Sequence, residues 1–287
     1  MATVPEDLRV QLGIRVVPLS IEIDGVVYRD GVDLTPVGLY RRMVLSDVPP
    51  RTSQPSPGEW LQAFEAAASS GAGHILCFTI SSRFTGTYAS AVQAARIFAE
   101  DAPPAASRPT VDIIDTRLAA IAEGWVVIET ARAVSRGATR EQALARAREV
   151  AGRVRLVAVV DTLEYLMRGG RVPKLAGLAA TALRVKPMAR LRNGEAVAAG
   201  VARSLEGAYS AMVRRMGRDC RLAALRKGRP AVLRVGVMHA GAPERGLELA
   251  RLVRERLRPA ELLVTDFTPV MGVHTGPGPC GVGYFAE

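Results

Sequence analysis

Aromatic residues supply only 5% of this 287-residue chain, and its cysteines number three: Cys77, Cys220 and Cys280. Three scattered thiols cannot build a disulfide framework, which points to a reducing, cytoplasmic setting. No apolar run approaches the ~20 residues of a membrane span. The longest, such as VRLVAVVDTL, are broken by Arg or Asp. The opening MATVPEDLRVQLG lacks the basic-then-apolar layout of a secretory signal. No GxSxG elbow offers a hydrolase nucleophile a seat, and no GxxxxGK run forms a phosphate loop. Metal spacing is missing too. His74 and Cys77, three apart on an expected strand, point to opposite faces, and His239 and Cys220 add no ligand pattern.

What is present is globular. Hydrophobic residues reach 48% and charged residues 23%, well outside the range of a disordered chain. The length suits one large domain or two ordinary ones. A formal charge of +10 favours anionic partners. Basic residues are densest from Arg203 to Arg229, with little aromatic interleaving, so a nucleic-acid stacking platform is not expected.

The first half alternates β-rich runs with helical patterns, as parallel βαβ units do. GIRVVPLSIEID, HILCFTI and VDIIDT read as strands. Leu34 to Val44 reads as a helix with Thr35 as cap and Pro36 in its first turn. EWLQAFEAAASSG, YASAVQAARIFAE and WVVIETARAVSRG read as further helices. The pattern changes near Gly152. A strand and short helix lead to a Gly-Gly break, and LAGLAATALRV follows as a small apolar helix. Asn193-Gly194 marks a hairpin. A basic amphipathic helix, AVLRVGVMHAG as a strand, PERGLELARLVRERLR as a helix and ELLVTDFTPV as a strand come next. MGVHTGPGPCGVGYF is expected as a glycine-rich tail, with His274 in a turn.

Three loops, 51–56 (RTSQPS), 81–88 (SSRFTGTY) and 272–278 (GVHTGPG), together combine hydroxyls, glycines and one histidine. Hydroxyls and free N–H groups near helix starts suit a carboxylate or phosphate; the same residues also serve as ordinary caps. An imidazole in such a loop can donate a hydrogen bond to an anion. Asp115, Asp161 and Asp266, at strand ends, are expected to bond loops.

Nine stretches, some of them within these loops, complete a pattern. Gly13-Ile14 through Pro18-Leu19, Tyr28 to Asp33, Thr52 to Pro57, Ile80 to Ser82 and Thr85 to Tyr88 lie in the first half. Val160 to Leu166, Arg168 to Arg171, Lys186-Pro187 and Gly272 to Gly278 lie in the second. In this order they resemble the DegV family of bacterial fatty-acid-binding proteins. The resemblance implies an α/β chain of two domains. Residues 1–153 would form a parallel α/β head-group domain, and 154–287 an α/β domain with a mixed sheet that closes an acyl tunnel. It implies a non-catalytic protein, without cofactor, that holds a long-chain fatty acid of the C14–C18 class. Thr52 and Thr85 would bind the carboxylate with His274 close by, and Ser53, Gly86 and Thr275 would support them. The family commonly has Ser where Thr85 stands, and a small and an aliphatic residue where Arg83 and Phe84 stand. Leu178, Ala179, Ala182 and Leu183 are candidate lining.

Family members begin with a strand ending in Asp-Ser-Thr ahead of a segment like Ala2–Leu8, so a first strand is expected to be missing here, with either the true start upstream or the chain truncated. Some members are the binding subunit of a fatty acid kinase. Arg168, Arg171, Lys174 and Arg203 would then face the phosphate or the kinase, and a basic face would suit transient contact with anionic membranes. The alternative is a hydrolase or phosphotransferase with a Thr or Ser nucleophile and His274 as base.

Overall fold

The structure, a computed structural model, describes residues 2–46, 48–100, 108–170 and 185–287. Arg171, Lys174, Leu178, Ala179, Ala182 and Leu183 lie outside the described residues.

A six-stranded mixed sheet organises the second half. Its strands are β6 (Arg155–Val159), β7 (Lys186–Arg192), β8 (Glu195–Ala202), β9 (Leu233–His239), β10 (Glu261–Asp266) and β11 (Cys280–Ala286). Their order is β10-β9-β11-β6-β7-β8; only β10 and β9 run parallel. The β7–β8 turn is the expected hairpin, with Asn193 at φ 52° and Gly194 at φ 83°. Two left-handed residues are what a type I′ turn requires.

The glycine-rich tail is not a tail. Pro269–Thr275 form a short helix, α10, and β11 runs through the middle of the sheet. Glycine is normally a poor strand residue. Here it is needed because the helix α5 (Ala120–Ser135) lies directly on the sheet. A Cβ on Gly283 would come within 2.7 Å of Ile121 Cγ2 and 2.9 Å of the Ala122 nitrogen. Trp125 Nε1 donates to the Gly283 carbonyl at 3.0 Å across the same seam.

Each sheet face has its own cover. Val157, Val159, Val235, Val237 and Val282 pack with α8 (Leu205–Lys227) and α9 (Pro243–Leu257) on the back. On the front, Leu156, Ala158 and Met238 share a core with α5 and with α6 (Arg140–Arg153). That core also receives Val4, Leu8 and Leu12 around an unforeseen first helix, α1 (Glu6–Gln11).

The first half carries two smaller sheets. β4 (His74–Thr79) and β5 (Thr110–Asp115) pair in parallel, with α3 (Pro57–Ser69) and α4 (Thr87–Glu100) packed beside them. β1 (Ser20–Ile23) runs antiparallel between β2 (Val26–Arg29) and β3 (Arg51–Ser53). The strand expected from 13 to 24 thus narrows to four residues: Ser20 to Ile23 pair with β2, and the first three of them also pair with β3. α2 (Pro36–Leu45) starts as its sequence requires, with Gly38 N–H donating to Thr35 Oγ1. α3 opens with a reciprocal capping box between Ser56 and Glu59. Among the described residues no helix is long and apolar enough to cross a membrane.

Candidate head-group site and apolar cavity

β3 is the short strand that brings the first hydroxyl loop to the sheet front. Its register opposes Thr52 to Ile21 and Ser53 to Ser20. Strand alternation therefore turns Thr52 away from its neighbours and toward α10. His274 sits in the last turn of α10, not in an open turn, and its Nε2 lies 2.9 Å from Thr52 Oγ1. The two residues are 222 positions apart, and both are half-buried. At the other end of α10, Val270 N–H donates to Asp30 Oδ1 at 2.9 Å. Burial raises the Asp30 carboxyl above its ordinary value, only partly offset by the bond from Val270.

Thr85 lies on the second loop, just ahead of α4. Its hydroxyl is 3.1 Å from Thr87 Oγ1 and donates at 3.5 Å, at the limit of reach, to Gln54 Oε1. Gly86 lets the Gln54 amide settle on the backbone: a Cβ there would meet Gln54 Nε2 at 3.1 Å. The loop is anchored behind by Ser81, whose hydroxyl donates to the Gly194 carbonyl at 2.7 Å, and by Ser90, which donates to the Pro55 carbonyl. Thr275 is turned back on its own helix and donates to the Met271 carbonyl at 3.0 Å.

Behind this rim is a cavity of about 170 Å³. One buried water needs roughly 10–15 Å³ on the same measure, so the space suits an extended ligand. Thr52, Ser53, Gln54, Thr85, His274 and Thr275 line the polar end. The walls are apolar: Leu156, Ala158 and Val160 from the β6 edge, Ala189 and Leu191 from β7, Met238 from β9, with Phe84, Phe267 and Met271 closing over them. Ala158 and Ala189 face each other directly across β6 and β7, so methyl groups form the middle of the trough.

The candidate residues Thr52, Thr85 and His274 therefore border one cavity, with Ser53 and Thr275 beside them; Gly86 shapes the loop without lining it. Arg168 and Arg203 are exposed and do not line it. Arg168 pairs with Glu164 at 2.6 Å, and Arg203 precedes the cap of α8. Asp115 and Asp266 bond loops as expected: Asp115 accepts from Ser82 and the Arg117 amide, Asp266 from the Gly241 and Phe267 amides. Sequence reasoning gave Gln54 no role, although it lies two residues beyond Thr52 in the same motif. It also missed the sheet wall. A signal existed there in the alternation of small residues at Ala158, Ala189, Gly281 and Gly283. Among the described residues no cluster of side chains could hold a metal ion.

A family model described as an uncharacterised protein of the DegV family matches residues 1–287. A DegV domain-containing protein of Caldanaerobacter subterraneus is 30% identical over 290 residues, covering 100% of this chain and 96% of that protein. One from Mycobacterium tuberculosis is 32% identical over 280 residues, 97% of this chain and 92% of that one. Among solved structures, a DegV family protein from Thermus thermophilus, described by its fatty acid binding, superposes with a TM-score of 0.87 at 30% identity, over 99% of this chain and 96% of that one. A stearic-acid-binding protein from Eubacterium ventriosum gives 0.85 at 27% identity, over 99% and 95%.

Proposed function

The chain belongs to the DegV family, and from that premise we propose that it binds one long-chain fatty acid of the C14–C18 class in this cavity. The carboxylate sits at the rim with Thr52, Thr85 and His274, and Ser53, Gly86 and Thr275 support it. Residues 1–153 supply Thr52 and Thr85 to the head-group site, and 154–287 supply His274 and the sheet that closes the tunnel. The observation that carries the reading is the cavity's polarity: hydroxyls, an amide and an imidazole at one end, aliphatic walls beyond.

The energetics fit such a ligand. Burying a chain of about sixteen carbons gains on the order of 10 kcal/mol gross, at ~0.8 kcal/mol per CH₂. A carboxylate without partners loses several kcal/mol on burial, so the rim hydroxyls orient the ligand and offset that loss. The protein is a carrier in this reading, not an enzyme. It offers the carboxylate to a separate fatty acid kinase, with the exposed Arg168 and Arg203 toward the phosphate or the kinase surface. Transient contact of the basic face with anionic membranes would exchange the ligand, in the cytoplasm.

Native mass spectrometry of the purified protein, followed by organic extraction, tests this. A stoichiometric C14–C18 fatty acid, lost in a Thr52→Ala/Thr85→Ala double variant, is the expected result. A mass that stays unliganded after incubation with fatty acids would refute it. A second reading draws on the 2.9 Å Thr52–His274 pair, which has the spacing of a nucleophile and its base. Turnover of acyl esters abolished by His274→Ala would establish that hydrolase in place of the carrier.

A further inference from the structure

Asp161 follows Val160, the cavity-lining residue just past β6, and its carboxylate is clasped from two sides. Lys186 Nζ, at the start of β7, donates to Oδ1 at 2.7 Å. Arg245 Nη1, in the first turn of α9, donates to Oδ2 at 2.5 Å. Burial alone would raise the Asp161 carboxyl, but these two cations outweigh it and hold the group below its ordinary value.

The same Arg245 Nη1 also donates to the Gly278 carbonyl at 2.8 Å. The Gly278 N–H in turn donates to the Ala240 carbonyl at 2.8 Å. Gly278 has φ 96°, and a Cβ on it would overlap Asp161 Oδ2, so the carboxylate fits only against glycine. Two residues earlier Gly276, at φ 69°, ends α10 with the Tyr165 ring lying where its Cβ would be. Tyr165 belongs to α7 (Glu164–Arg168), which packs on α10. A chain of contacts therefore runs from Asp161 through Arg245 to Gly278. That loop, with Tyr165, seats the C-terminal end of α10, where His274 stands. Asp30 secures the opposite end.

We propose that Asp161 is a positioning residue for the carboxylate site: through Arg245 and Gly278 it fixes the end of α10 and with it the approach of His274 to Thr52. The inference rests on reading the cavity as a fatty-acid site. It brings the Val160–Leu166 stretch, Lys186-Pro187 and the Gly276–Gly278 loop into one device, none of which touches the ligand's head group in that reading.

The test compares palmitic acid with hexadecanol, which has the same chain and no carboxylate. In Asp161→Asn full-length protein, palmitate affinity is expected to fall about tenfold while hexadecanol affinity stays within about twofold, a ratio worth about 1 kcal/mol. In a His274→Ala background the same substitution should change palmitate affinity less than twofold, because its effect passes through the imidazole. Arg245→Met, which cuts the link to Gly278, should reproduce the loss and covers the case in which Asp161→Asn fails to fold. Equal loss of acid and alcohol in the variants, or full additivity with His274→Ala, would overturn the positioning role alone. Wild-type protein that takes up neither ligand would overturn the cavity reading beneath it.

Discussion

The two faces of the six-stranded sheet are built from different side chains and end in different states. The back alternates Val157, Val159, Val235, Val237 and Val282, and α8 and α9 fill the space above them with Met212, Met216 and Leu249. The front carries Gly236, Gly281, Gly283, Ala158 and Ala189. α5 sinks onto Gly236 and Gly283, whereas Ala158 and Ala189 border the cavity. Branched side chains make a closed core; small ones make either a close helix contact or a hole, depending on what lies above. The front is thus the face on which a ligand can replace missing side chains.

The same change in volume should have opposite consequences on the two faces. Met216 is fully buried on the back, so Met216→Ala leaves a void and should cost about 3 kcal/mol of stability in denaturant titration. Acyl affinity should be unchanged in that variant. A front-layer prediction of similar size concerns Glu123, a buried acid on α5 whose Oε2 has no hydrogen-bond partner among the described residues. Burial, aided by the nearby Asp115 charge, raises its carboxyl from 4.5 to about 7. The unfolded chain ionises first, so stability is fully present below the unfolded value and falls as pH rises through the folded one. Glu123→Gln should therefore gain on the order of 3 kcal/mol at pH 8 and little at pH 4. A pH-independent gain would show that the carboxyl is not the cause.

Ala158→Leu fills the trough in place of about three methylenes of ligand. It should shift stability by less than about 1 kcal/mol, yet weaken C16 binding about fiftyfold and spare a chain three or four carbons shorter. Comparable loss at every chain length would mean that the acyl chain does not cross Ala158. The smallest effect is expected at the rim. Thr52→Ala removes the hydroxyl beside His274 and should lower fatty-acid affinity about tenfold, with stability within about 1 kcal/mol.

Much of this was legible in the sequence where local rules decide. The Thr35 cap, the Asn193-Gly194 turn and the three hydroxyl loops each declare themselves within a few residues. What was not legible depended on partners far along the chain. Nothing near residues 280–286 says that α5 will press on Gly283, so a central strand reads as a loose tail. His274 looks like a turn residue because Gly276 and Pro277 follow it, whereas Asp30, Arg245 and Tyr165 hold a helix there. The front core takes Val4 and Leu8 from before the expected boundary at 153/154 and Leu156 and Met238 from after it. No local composition change announces that sharing.

The most direct test of the account uses palmitic acid labelled with carbon-13 at its carboxyl, bound to the protein and observed by NMR. One bound carboxyl resonance is predicted, distinct from free acid, moved by Thr52→Ala and by His274→Ala and unmoved by Met216→Ala on the back of the sheet. A bound resonance indifferent to Thr52 and His274, or no bound resonance at all, would contradict it.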